Sequence, residues 1–167
     1  MPSKHKEQRV AVLIDVQNMY HSARNLYSKK VNFAEILKTA VSERKLIRAF
    51  AYVVRTKTGE EKPFFEALTK LGLETRVRDL QEFYGGMKKA DWDVGITIDA
   101  VKTAASVDVI VLVSGDGDFI QLVEYLKNQG KRAEVIAFGK STSSRLREIA
   151  DEFIDLGETP EKFLLKK

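Results

Sequence analysis

The chain has 167 residues, 44% of them hydrophobic, and 28 Lys and Arg against 24 Asp and Glu give a net charge of +4. That length and apolar content fit one globular domain with a real core and exclude a disordered chain. Cysteine is absent and the only histidines are His5 and His21, which excludes disulfides, thiolate chemistry and a His-rich zinc site.

The surplus of positive charge is small and points only weakly to an anionic partner. No apolar run approaches the ~20 residues of a membrane span, so no membrane partner is expected. Met1 to Glu7 has charges with no apolar stretch behind them, so no signal peptide is expected and the cytoplasm is the expected compartment.

In chain order, Arg9 to Ile14 carries a continuous apolar run of strand length, ended by Asp15. Such runs suit strands covered on both faces, as in parallel sheets. Val16 to Tyr27 reads as a helix, and Asn32 to Arg44 as another with Asn32 as its N-cap. Leu46 to Val54 is the second strand. A polar loop, Arg55 to Glu60, leads into a helix beginning at Pro63 and capped by Gly72. Leu73 to Val77 is a short third strand.

Asp79 to Ala90, with Gly85 and Gly86, is a long irregular stretch, and such loops are often functional. Asp91 to Ala105 reads as a helix whose apolar positions are Val94, Ile98, Val101 and Ala105. Asp108 to Val113 is the fourth strand. Phe119, Leu122, Val123 and Leu126 mark an amphipathic helix stopped by Gly130. Ala133 to Phe138 is the fifth strand, and Gly139 to Ser144 opens a helix running through Ala150. This alternation predicts an α/β fold of three layers with a mostly parallel central sheet of about five strands. The expected division is an N-terminal extension over 1–8, one domain over 9–157 and a C-terminal tail over 158–167.

In open α/β sheets ligands bind beyond the carboxyl ends of the strands, near a switch in strand order. Asp15 ends the first strand, and the hexapeptide "SGDGDF" places Asp116 and Asp118 just after the fourth. If those strands are neighbours, three carboxylates meet, with Asp91 and Asp93 as further candidates at the start of a helix. Each acid also has an ordinary reading as a cap or first-turn residue. Convergence is what changes the chemistry. Two carboxylates ~4 Å apart repel by ~4 kcal/mol at an effective dielectric of ~20. Several together require a cation or shifted pKa values. Oxygen-only ligands select a hard divalent ion, Mg2+ or Mn2+, which can drive phosphodiester cleavage.

Three segments now stand together: Ile14-Asp15-Val16-Gln17-Asn18, then Lys89 to Val94 with Asp99-Ala100, then Ser114 to Phe119. In that order they resemble the NYN domain, and more narrowly its LabA-like branch within the PIN-like nuclease superfamily, over Val10 to Leu156. The resemblance implies a PIN-like (Rossmannoid) fold and a metal-dependent ribonuclease acting on RNA. It matches Asp15, Asn18, Asp93, Asp99, Asp116 and Asp118 to the family's functional positions. Asp15, Asp93 and Asp116 are the expected metal ligands, and Asp118 is either a ligand of a second ion, an aid to positioning water, or a helix-start residue. PIN-like domains often pair, so a homodimer is also implied.

Asp93 and Asp99 lie six residues apart, hence ~120° apart around a regular helix with ~9 Å of rise. Asp93 is therefore favoured as ligand, with Asp99 behind it or near substrate, and Asp91 is read as a cap. Asn18 has three readings: orienting water, donating to a phosphate, or filling the first helical turn. Ser114 either donates to an acidic neighbour or to phosphate, or is simply a turn residue.

A carboxylate pocket repels RNA, so cations must surround it. Lys88, Lys89, Arg55, Lys57 and Lys140 fall at strand carboxyl ends or in the adjoining loop. Ser141 to Ser144 fall at an expected helix N-terminus suited to phosphate. Their plain reading is exposed lysines and an N-cap. Trp92, Phe83 and Tyr84 are candidates for stacking on bases or for packing, and His21 reads as structural.

The alternative to an enzyme is a non-catalytic RNA- or nucleotide-binding regulatory module with the same pocket. A receiver-like phosphoacceptor would want adjacent acids after the first strand, and a dehalogenase-like phosphatase Asp-x-Asp, but position 17 is Gln. Glycine motifs of the P-loop or dinucleotide type are absent.

Overall fold

The computed structural model describes residues 4–82, 88–89 and 91–166. In chain order its elements are β1 (Arg9–Asp15), α1 (Val16–Tyr27), α2 (Phe33–Val41), β2 (Lys45–Arg55), α3 (Lys62–Lys70) and β3 (Glu74–Asp79). A short antiparallel pair follows, β4 (Gln81–Glu82) with β5 (Lys88–Lys89). The chain continues through α4 (Asp93–Ala104), β6 (Val109–Val113), α5 (Ile120–Asn128), β7 (Arg132–Ala137), α6 (Ser144–Ile149), β8 (Glu152–Asp155) and α7 (Pro160–Phe163).

Six strands form one sheet in the order β3-β2-β1-β6-β7-β8, and every pairing in it is parallel. The chain winds outward from β1 on one side and outward from β6 on the other. The order therefore switches between these two neighbours, which is where such sheets open a crevice at their carboxyl ends.

The α/β class and the parallel sheet agree with the sequence, but there is a sixth strand. β8 reads "EFID", four half-buried residues bounded by acids, and it lacks the apolar run that marks β1 or β6. Pairing with β7, Ile154 beside Ile136, makes it a strand.

Residues Val10 to Ile14 and all of β6 are buried, so alternate side chains feed two separate cores. Val10, Val12 and Ile14 pack with Met19, Ile36, Leu68 and Phe163 on one face. Ala11 and Leu13 pack with Ile96, Leu122 and Leu146 on the other. Each such large side chain contributes about 1.5–3 kcal/mol on burial. The helices thus lie on both faces, as the alternation of elements predicts. After Gly157 the chain stays on the first face, where Phe163 and Leu164 are buried and Leu164 bridges Val31.

One expected face is corrected. On α4 the apolar residues Val94, Ile98 and Val101 are 68%, 51% and 39% exposed, whereas Ile96, Ala100, Thr103 and Ala104 are buried. The helix carries two stripes at helical spacing. The one with alanines faces the sheet, because small side chains let the helix approach it closely.

At the amino ends of the strands, away from the crevice, Arg44 is inserted into the core. Its Nη1 and Nη2 donate to Glu134 at 2.9 and 2.8 Å, and Arg132 Nε donates to the same carboxylate at 2.7 Å. Burial pushes the Glu134 carboxyl up, but the two guanidinium groups outweigh it and hold the pKa below the ordinary value. Among the described residues, no helix is long and apolar enough to cross a membrane.

Candidate functional site

Asp15 is the last residue of β1 and only 8% exposed. Its Oδ1 accepts the Asn18 N–H at 3.2 Å, which caps α1, and its Oδ2 accepts the Ser114 hydroxyl at 3.0 Å. Ser114 is fully buried just beyond β6, and its Oγ in turn accepts the Asp116 N–H at 3.2 Å. From the other side, Asn18 Oδ1 accepts the Gly115 N–H at 3.0 Å. The ends of the two central strands are thus knitted together by side chains.

Gly115 is required by space. A Cβ there would stand 2.6 Å from Thr142 Oγ1 and 3.1 Å from Thr142 Cα. The chain then turns at Asp116, whose Oδ1 accepts the Asp118 N–H at 2.9 Å, and the turn Gly117–Phe119 is anchored by the fully buried Phe119. Asp118, in that turn, is exposed.

Asp93 enters from the first turn of α4, with its N–H donating to Asp91 Oδ1 at 3.2 Å. Asp91 thus braces the turn from one residue before the capping position, which Trp92 holds. Asp93, Asp116 and Asp118 each offer a carboxylate oxygen, and the three oxygens lie within 4.8 Å of one another. Oxygens that share one octahedral ion at about 2.1 Å lie roughly 3 to 4.2 Å apart, so small side-chain adjustments would close the group on an ion.

Asp15 sits beside this trio with both oxygens already accepting hydrogen bonds. Burial raises its pKa to about 6, against the pull of Asn18 and Ser114, and Asp116 and Asp91 add to the rise. Asp93 is raised to about 7, first by burial, then by its hydrogen bond with Asp118 and the charges of Asp116, Asp91 and Asp15. The donors of the trio are all carboxylate oxygens, a set that could hold a hard metal cation.

Asp99 is elsewhere. Its Oδ2 accepts the Tyr52 hydroxyl at 2.8 Å and pairs with Arg76 Nε at 3.0 Å, and burial with that carboxylate holds the Tyr52 phenol well above its ordinary value. Neither Tyr52 nor Arg76 stands out in the sequence, since one reads as strand core and the other as a surface arginine.

Of the expected substrate cations, Arg55 ends β2 and Lys140 follows β7. Arg55 pairs with Asp79 at 2.8 Å, and Lys140 is exposed in the turn Gly139–Ser141. The helix expected to open at Gly139 begins at Ser144 instead, with Ser143 as its cap, while Ser141 Oγ meets Ser22 Oγ at 2.9 Å. Lys88 and Lys89 form β5. Phe83 and Tyr84 lie outside the described residues.

The NYN domain family model matches residues 9–157 of this chain. The low amplitude and bright protein LabA of Synechococcus elongatus is 28% identical, over 92% of this chain and 86% of that protein. An uncharacterised protein of Methanocaldococcus jannaschii is 27% identical over 91% of this chain, which spans 57% of its length. The crystal structure of a Vibrio parahaemolyticus protein of unknown function superposes with a TM-score of 0.87 at 33% identity, covering 98% of this chain and all of that one.

Proposed function

The chain belongs to the NYN domain family, whose fold is PIN-like, and from that premise we propose that it is a metal-dependent ribonuclease that hydrolyses RNA phosphodiester bonds. The observation that carries this reading is the approach of Asp93, Asp116 and Asp118 to within 4.8 Å at the switch between β1 and β6. Mg2+ or Mn2+ held there would neutralise the carboxylates, polarise a phosphoryl oxygen and make water a better nucleophile.

In this reading Asp93 and Asp116 are the inner ligands, and Asp118 completes the group from the solvent side. Asp15 acts from just behind, adding negative charge while tying α1 to the loop after β6 through Ser114. Asn18 has its Oδ1 occupied by Gly115, which leaves its amide N–H groups to donate to the scissile phosphate or the attacking water. Asp99 supports α4 through Tyr52 and Arg76. Lys140, Lys88, Lys89 and Arg55 supply the positive rim that an RNA strand needs near an acidic pocket.

Incubating the purified protein with a mixed RNA pool in Mn2+ or in EDTA, and mapping the new ends, tests the proposal. Cleavage in Mn2+ alone is expected. Tight RNA binding with no new ends in either buffer would favour the regulatory binding module instead.

A further inference from the structure

The start of α4 carries Asp93, whose N–H is held within its own turn by an exposed bond to Asp91 Oδ1 at 3.2 Å. Trp92, at the capping position, makes no side-chain bond to the first turn, and the first buried side chain of the helix is Ile96. A helix start held by one exposed side-chain bond is prone to fraying. The like charges of Asp91 and Asp116 push on the same turn.

It is fastened from outside, by the edge strand of the sheet. Arg78 on β3 donates from Nη1 to the Asp91 carbonyl at 2.6 Å, and its guanidinium lies 4.3 Å from the centre of the Trp92 ring. Below, the Trp92 indole N–H donates to the Val53 carbonyl of β2 at 2.9 Å, and the ring leans on Tyr52 with centroids 5.3 Å apart. The same ring lies so close to Gly95 that a Cβ there would stand 2.5 Å from Cε3. Asp91 and Trp92, the two residues before Asp93, are therefore referenced to β2 and β3.

We propose that Arg78 is a positioning residue: stacked on Trp92 and bonded to the Asp91 carbonyl, it holds the first turn of α4 where the Asp93 carboxylate can join Asp116 and Asp118 on a divalent ion. This rests on the metal-pocket reading above. A guanidinium engaged both by its face and through an Nη1 hydrogen bond is built as a strut, and its planarity is what a lysine cannot copy.

The test is Mn2+ affinity measured calorimetrically without RNA, on wild type, Arg78→Ala, Arg78→Lys and Arg48→Ala. Arg48 is the matched control, since its guanidinium also lies over an aromatic ring, Phe50 at 4.6 Å, and pairs with a surface acid, Glu74. Both Arg78 variants are expected to weaken Mn2+ binding by about 10-fold, as partners one layer behind a metal ligand do, and Arg48→Ala to leave it unchanged. Arg78→Lys keeps the charge and the stem, so it serves if the alanine variant is unstable. On RNA, the variants should lower kcat with KM within about twofold, at Mn2+ below saturation.

Affinity within twofold of wild type for both Arg78 variants would overturn the proposal. A raised KM with unchanged Mn2+ affinity would do so as well, by making Arg78 a phosphate contact. Wild-type protein that binds no Mn2+ would sink the metal-pocket reading and this inference with it, whereas wild-type binding with unaffected variants would sink the inference alone.

Discussion

The Ser114 hydroxyl donates to Asp15 Oδ2 at 3.0 Å, joining residues 99 positions apart across the seam between β1 and β6. The bond has an electrostatic consequence as well as a structural one. Burial drives the Asp15 carboxyl up to about 6, and Ser114 is one of the two donors that hold it down. Ser114→Ala should therefore raise that pKa further. The acid limb of the pH–rate profile is expected to move to higher pH, with about 1–3 kcal/mol lost from stability at pH 8, the cost of a buried acceptor left unpaired. A profile superimposable on wild type would remove Asp15 from the active ensemble.

Metal-free protein should gain stability as the pH falls from 8 to 5.5. Asp15 and Asp93 have folded pKa values of about 6 and about 7, against 3.8 in the unfolded chain. The folded state therefore takes up protons first, and stability rises as pH falls through these values. Below about pH 4.5 the trend reverses, because Asp108 at about 2 and the lowered Glu134 lose the pairs that stabilise them. Thermal melts in EDTA should show a midpoint a few degrees higher at pH 5.5 than at pH 8. A midpoint that falls over that range would contradict the charge balance of the pocket.

Asp116→Asn is expected to separate metal binding from folding. Asparagine keeps an Oδ1 to accept the Asp118 N–H, so the turn survives while one repelling charge is removed. In EDTA the variant is expected to melt at or above the wild-type temperature. Wild type should gain about 2.7 kcal/mol with Mn2+ at 100 times its dissociation constant, and the variant should gain almost none. Equal gains in calorimetry would place the ion elsewhere.

Far from the crevice, the Arg44–Glu134 pair is nearly sealed from solvent, each side chain 1% exposed. Arg44→Met should cost about 3–5 kcal/mol by stranding part of the Glu134 charge. Arg44→Met combined with Glu134→Met should recover much of that loss in urea unfolding. A double variant no better than the single would show that Arg132, still paired with Glu134 in the single variant, had already carried the charge.

How far the sequence was legible depended on burial. Val10 to Ile14 and Val109 to Val113 are buried on both faces, so their strands read directly as apolar runs. β8 is half-buried and bounded by acids, so nothing in its composition separates it from a loop. On α4 two apolar stripes have similar spacing, and only the approach to the sheet decides that Ile96, Ala100 and Ala104 are inward. The acids were legible as candidates, but which of them approach one another was not. Which oxygens face one another depends on the turn at Asp116, which brings Asp118 in, and on the two hydrogen bonds that occupy Asp15. Arg78 lies in "ETRVRD", an exposed edge strand where an arginine looks like any other surface charge.

The most direct test of the whole account is the rate of Mn2+-dependent RNA cleavage by wild type and by Asp116→Asn, compared at a temperature where both are folded. Wild-type cleavage that EDTA abolishes, with the variant slower by at least about 100-fold, is the expected result. Cleavage by the variant at the wild-type rate would contradict the assignment of the reaction to this pocket.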